Sequence, residues 1–254
     1  MSDVLVERDG PFTTITLNRP RRRNALSRGF LVEIAGAFEE VAATDARGVI
    51  LAANGPVFSA GHDFGDMAGA SHADVRSLLR TCTDLMAAIQ SAPQVVIARV
   101  HALATAAGCQ LVAGCDLVVA AESAGFAAPG GRGGWFCHTP MVAISRNVGR
   151  KRAMELALTG DVIDARTAAE WGLINYAVPD DRLEKATLDL LERATRGSAR
   201  SKALGKETMY AQLDRPEHDA YALAVEVMAA SSQTPEAQEG MSAFLAKRRP
   251  EFPA

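Results

Sequence analysis

Apolar residues along the first two-thirds of the chain follow two alternating rhythms. Val4–Arg8 and Phe12–Leu17 flank Asp9-Gly10, a dipeptide suited to a tight turn, and Thr13, Ile15 and Leu17 fall on one side of the second run. That pattern predicts a β-hairpin. Leu31, Ile34, Phe38 and Val41 then recur at helical spacing, which predicts a helix over Arg28–Ala43 with Ser27 as its N-cap. Gly48–Ala53 is an apolar run of strand length. Val75, Leu78, Leu79, Leu85, Met86 and Ile89 form the stripe of a long helix from Ser71 or His72 to Gln90. Val95–Val100 is the next buried strand, followed by a short helix from Ala107 to Gly114 and a strand at Asp116–Ala121. β-Branched runs without polar alternation, separated by helices, predict parallel strands covered on both faces.

Beyond Pro140 the rhythm turns helical. Val142–Asn147, Lys151–Leu158, Ala165–Trp171, Leu183–Thr195, Ser201–Gln212, Pro216–Ala230 and Glu236–Lys247 are all predicted as helices. The expectation is an α/β chain with a core over residues 1–195 and a C-terminal helical region over 196–254, acting as a lid, a subunit contact or both. Composition changes this picture little: of 254 residues, 48% are hydrophobic and 22% charged, an ordinary globular balance. A net charge of -3 gives no reason to expect a nucleic-acid partner or a polybasic membrane anchor. The longest apolar stretches are strand-sized and far short of a membrane span. Met1–Gly10 carries Asp3, Glu7 and Asp9 and has no apolar signal core, so a cytoplasmic location is expected. Cys82, Cys109, Cys115 and Cys137 lack metal-ligand spacing and are expected to be buried, reduced thiols, with no metal.

Four stretches carry candidate chemistry. Asn18-Arg-Pro-Arg-Arg-Arg-Asn-Ala-Leu26 closes a strand with four arginines; guanidinium forks suit phosphate oxygens, and a solvated basic loop is the alternative. Val57–Met67 gathers Ser59, Ala60 and Gly61 after a strand, small residues that let a ligand approach the backbone. His101–Leu111 enters its helix through Ala-Ala-Gly, which leaves N–H groups free at the helix start or simply packs that helix closely on the sheet. Phe126–Pro140 contains Gly130, Gly131, Gly133 and Gly134 around Arg132, with Trp135 and Phe136 at its rim. This is a loop able to wrap a ligand, without the lysine of a nucleotide phosphate loop.

In this order and spacing the four stretches resemble the enoyl-CoA hydratase/isomerase (crotonase) superfamily over Val4–Phe252. Leu158-Thr-Gly-Asp161, Ala165–Gly172 and Glu239–Arg248 add to the likeness, and Leu79–Asp84, Leu103–Leu111 and Phe136–Pro140 point to one branch within it. The resemblance implies a crotonase (ClpP-like) fold, a ββα spiral core followed by a helical region, and an acyl-CoA thioester as partner. It implies an oxyanion hole from the backbone N–H groups of His62 and Ala107. Arg21, Arg23, Ala25, Ala60, Asp63 and Phe64 fall where relatives line the coenzyme A channel. Lys247 matches a lysine that reaches the coenzyme from a neighbouring subunit of a homotrimer or hexamer. No cofactor is implied beyond the coenzyme A of the substrate. A hydratase of this family uses two glutamates, and the matching positions here are Gln110 and Gly130. Ordinary hydration is therefore not expected, because an amide cannot take a proton from water and glycine has no side chain. His138 stands where some relatives carry a catalytic aspartate, and Trp135 and Phe136 are expected to border the acyl group. Altered acyl-CoA chemistry and silent acyl-CoA binding both fit these residues.

Overall fold

Successive residues of a strand point to opposite faces, and here that alternation feeds two separate cores. In the computed structural model, which describes residues 2–252, the hairpin is β1 (Val4–Asp9) paired antiparallel with β2 (Phe12–Leu17). Helix α1 (Arg28–Ala42) starts at Ser27, whose hydroxyl accepts the Phe30 N–H. Strand β3 (Gly48–Ala53), helix α2 (His72–Ser91) and strand β4 (Val95–Val100) follow, with Ser71 capping α2 through the Asp74 N–H. Next come β5 (Ala104–Thr105), α3 (Ala107–Ala113), β6 (Leu117–Ala121) and β7 (Gly125–Ala127). The remainder is α4 (His138–Asn147), α5 (Arg150–Thr159), β8 (Ile163–Asp164), α6 (Ala165–Trp171), β9 (Tyr176–Val178), α7 (Leu183–Thr195), α8 (Ala199–Gln212), α9 (Glu217–Ser231) and α10 (Pro235–Leu245).

The main sheet has the order β1-β2-β3-β4-β6-β9, and every pairing after the hairpin is parallel. Val49, Leu51, Val96, Ala98, Val118 and Ala120 join one core with α1 and α2; Ile50, Ala52, Ile97, Val119 and Ala121 join the other, beneath α7. Both faces are thus covered, as the unbroken apolar runs predict. A small second sheet, β5-β7-β8, lies beyond the ends of the main strands.

Past Pro140 the structure adds two short strands, β8 and β9, in the gaps between the expected helices. Residues 176–178 are drawn into the sheet because Asn175 brackets Val118, accepting its N–H at 2.7 Å and donating to its carbonyl at 3.0 Å. Helix α4 also begins at His138 rather than Val142, so the glycine-rich loop ends sooner than expected.

Helix α8 is fastened to the core by a nearly buried junction. Lys206 Nζ meets Asp116 at 2.8 Å and donates to the Ile89 and Gln94 carbonyls, while the Tyr210 hydroxyl donates to Asp116 at 2.8 Å. Burial, and then the negative Asp116, push the Tyr210 pKa up, so it stays a donor. Among the exposed residues of α9 and α10 are the large apolar side chains Tyr221, Val225, Met228, Phe244 and Leu245.

Candidate functional site

The expected oxyanion loops meet because three small residues allow it. A Cβ on Gly108 would lie 2.5 Å from the Ser59 carbonyl, so the first turn of α3 rests directly on the Ser59 backbone. A Cβ on Gly61 would lie 2.9 Å from that of Ala106 and 3.1 Å from the Ala107 nitrogen. Ser59 and Ala104 form a parallel bridge, so the two turns move as one piece.

This packing leaves two backbone donors free. His62 sits opposite Leu26 in a parallel bridge in which Leu26 N–H donates to Gly61 and Asp63 N–H donates to Leu26. Its own N–H therefore faces away from that pairing and has no backbone partner among the described residues. Ala107 opens α3, and its N–H is likewise without one. Ala106 turns the chain into this position with φ +52° and ψ -119°, a conformation disfavoured for any residue with a Cβ. The strained residue is thus Ala106, immediately before the donor Ala107.

His62 and Ala107 line one cavity of roughly 320 Å³ together with Ala25, Ala60, Asp63, Phe64, Gly130, Trp135, Phe136, Cys137 and His138. The structure thus brings together the expected donors, the loop aromatics and most of the expected channel residues. Arg21, Arg23, Gln110 and Lys247 are not part of its lining. Arg21 and Arg23 are exposed on the turn beside Ala25. Lys247 is exposed beyond α10, in a left-handed conformation with φ +54°. Gln110 lies buried on α3, and its Oε1 has no hydrogen-bond partner among the described residues.

Gly130 is enclosed by its own loop. Its carbonyl accepts the N–H groups of Gly133 and Trp135, and its N–H donates to Cys137 Sγ at 3.3 Å. A Cβ there would stand 2.2 Å from the Trp135 carbonyl and 2.8 Å from Cys137 Sγ, so the backbone fills the direction a side chain would take. Cys137 is nearly buried, and burial pushes its thiol pKa up. His138 is exposed at the start of α4, its ring 5.1 Å from that of Phe136.

The cavity contains one carboxylate, Asp63, and it is already engaged. Its oxygens meet Arg22 Nη2 at 2.8 Å and accept the Gly65 N–H at 3.0 Å; the Arg22 guanidinium holds its pKa below the usual range. The His62 ring is the opposite case. Burial lowers its pKa to about 4 against a weaker pull from the Leu26 backbone, whose geometry falls short of a hydrogen bond, and both ring nitrogens are buried without a partner. It is a neutral imidazole.

The arginine-rich turn divides its labour. Arg19 is structural: it pairs with Asp3 at 3.2 Å, donates to the Ser27 hydroxyl at 2.7 Å and lies over the Phe30 ring. Arg22 holds Asp63. Fully buried Asn24 ties the turn to the first oxyanion loop, donating to the carbonyls of Asn54, Val57 and Phe58. Sequence reasoning passed over both Arg22 and Asn24. Four neighbouring arginines look equivalent in sequence, and only the asparagine flanking them hints at an organised turn.

A parallel sheet covered on both faces, with two free N–H groups lining one cavity beyond the C-terminal ends of its strands, defines the class, and the comparisons agree. The sequence model of the enoyl-CoA hydratase/isomerase family matches residues 7–254, and the chain belongs to that family. Within it, the chain is 42% identical to enoyl-CoA hydratase domain-containing protein 3, mitochondrial, of Rattus norvegicus, over 96% of this chain and 82% of that protein. The fold is the crotonase fold. An enoyl-CoA hydratase from Mycobacterium smegmatis superposes with a TM-score of 0.96 at 45% identity, covering 99% of each chain. Human enoyl-CoA hydratase domain-containing protein 3 superposes at 0.94 and 37% identity, covering 99% of this chain and 100% of that one.

Proposed function

We propose that this chain binds acyl-coenzyme A thioesters and acts on them as an enoyl-CoA hydratase/isomerase-like enzyme that does not use the family's two glutamates. The observation that carries this reading is the pair of unpartnered N–H groups at His62 and Ala107, both lining one cavity. Two such donors suit a thioester oxygen that gains negative charge as an enolate or a tetrahedral adduct forms, and each is worth roughly 10²–10³ in rate where tested. Arg21 and Arg23 would meet the coenzyme's phosphates, with Ala25, Ala60, Asp63 and Phe64 along its channel. Trp135 and Phe136 would border the acyl group, and coenzyme A enters only as part of the substrate. Gln110 is buried and Gly130 is closed off by backbone, so proton transfer falls to His138, the exposed imidazole at the cavity wall.

Assembly into a homotrimer or hexamer through α8–α10 belongs to the same proposal. The exposed Tyr221, Val225, Met228, Phe244 and Leu245 support it, since exposed apolar surface of this extent marks contact faces. In such an assembly Lys247 would serve a neighbour's coenzyme.

A second reading, a catalytically silent acyl-CoA-binding protein, is favoured by the commitment of Asp63 to Arg22, which leaves the cavity without a free carboxylate. Calorimetry with coenzyme A at low and high salt, followed by mass spectrometry of a panel of acyl-CoA thioesters, tests both. Salt-sensitive binding with turnover of one class supports the enzyme, and binding without turnover supports the silent protein. No heat and no competition at millimolar coenzyme A overturns both.

A further inference from the structure

We infer that Arg22 is a positioning residue that sets the first oxyanion donor and couples it mechanically to the arginine turn. The inference rests on the proposed thioester reading and deepens it. Among the described residues, the side chains of Arg21 and Arg23 make no hydrogen bond or ion pair, whereas Arg22 reaches across 41 residues to Asp63. Asp63 is 7% exposed and directly follows His62, whose N–H is one of the two free donors.

Every polar group of Asp63 is assigned. Its N–H donates to the Leu26 carbonyl, Oδ1 accepts the Gly65 N–H, and Oδ2 accepts from Arg22. With its carbonyl accepting the Asp66 N–H, Asp63 beside the His62 donor is held by four bonds, two of them through its carboxylate. A nearby second tie, from the Arg28 N–H to Asp66, fixes the far end of the same loop. Without Arg22 the carboxylate keeps only Gly65, a partner two residues away that moves with the loop. The donor at His62 then keeps its backbone bridge to Leu26 but loses the side-chain tie that fixes Asp63 to the arginine turn.

The geometry also sets a direction. The Arg22 head is more than half exposed, so its pairing adds little to stability, and an arginine-free variant should fold. Its effect is expected in the precision of the donor, where small displacements have large consequences.

The test compares two probes on the full-length protein. Acetyl-CoA presents a thioester carbonyl to the donors, while the thioether S-ethyl-CoA has the same coenzyme and no carbonyl. In the wild type acetyl-CoA should bind more tightly, and the ¹³C=O stretch of labelled acetyl-CoA should move to lower frequency on binding. In Arg22→Ala that preference should fall about tenfold, the value of one good hydrogen bond, and the frequency shift should shrink. S-ethyl-CoA affinity should change less than about twofold, because Arg21 and Arg23 keep the phosphates. Arg22→Lys should restore part of the preference.

Equal losses on both probes would make Arg22 a phosphate ligand and overturn the inference, as would an unchanged carbonyl frequency in Arg22→Ala. Failure of the wild type to bind either probe overturns the thioester reading itself, a distinguishable result.

Discussion

The cavity has two walls built on opposite principles. One wall, from Ser59–His62 and Ala106–Ala107, presents backbone donors held by close packing and a strained turn. The other, from Gly130–His138, presents what side chains remain around a loop folded onto its own glycine. Backbone chemistry tolerates substitution so long as the turn keeps its shape, which is why alanines at 106 and 107 leave the donors free. Side-chain chemistry does not: replace the residue and its proton-transfer capacity goes with it. On the proposed reading, the first wall would hold the thioester oxygen and the second would decide which reaction, if any, follows.

The largest expected effect tests that contrast directly. With no free carboxylate in the cavity, crotonyl-CoA hydration should run at least ~10⁴-fold below the roughly 10 s⁻¹ of a typical enzyme, since each general acid–base group contributes about 10²–10⁴. Adding Gly130→Glu to Gln110→Glu should not restore it, because the new Cβ meets the Trp135 carbonyl. Gly130→Ala alone should cost about 1–3 kcal/mol in urea unfolding. Hydration by the wild type at an ordinary rate breaks the contrast outright.

Acid should weaken the donor wall first. His62 has a pKa of about 4 in the folded chain against an ordinary 6.5. Between these values the unfolded chain binds more protons, so stability falls as pH drops through that window and levels off below it. The loss attributable to His62 reaches at most about 3 kcal/mol. Urea midpoints of wild type and His62→Gln, measured from pH 7 to pH 4, should diverge in slope over that range; parallel curves would show the imidazole to be titrating normally.

His138 sharpens the other side of the comparison. His138→Ala should lower turnover of the identified substrate ~100-fold while coenzyme A affinity stays nearly constant. Undiminished turnover removes His138 from the chemistry. The smallest effect belongs to the strained turn. Ala106→Gly relieves a positive φ that costs about 1–3 kcal/mol, less the entropy that glycine adds to the unfolded chain, for a net gain near ~1 kcal/mol in denaturant melts. A loss of stability instead would mean that the Ala106 methyl packs more than the turn strains.

Much of this was legible in the residues alone. Long periodic elements such as α1, α2, β3 and β4 came through because burial on one face leaves a repeating mark. Strands β5, β7, β8 and β9 did not, since two or three residues are too few to show a period, and tertiary contacts such as Asn175 with Val118 decide their state. Of the site, the small-residue turns were visible because close approach demands small side chains. The tie from Arg22 to Asp63 was not, since which arginine of four turns inward depends on how two distant loops meet. The buried placement of Gln110 was equally hidden, because one helical residue beside a cavity can face it or the core.

The junction of Lys206, Asp116 and Tyr210 bears on how the chain comes apart. Lifting α8 would strand a carboxylate and an ammonium that lie almost out of water, at a cost of about 3–5 kcal/mol if either is left unpaired. Opening of α8 should therefore be tied to disruption of the sheet ends at β4 and β6. The only ion pair joining α10 to α8 is the longer Arg200–Glu236 contact at 3.8 Å, and α9 makes no ion pair to another element among the described residues, so both should open more readily. Amide exchange in the monomer would then divide the helical tail within itself: α8 would exchange on the slow timescale of the sheet, and the last two helices far sooner. The cooperative unit of this fold should then end near Gln212, well past the point where the strands end.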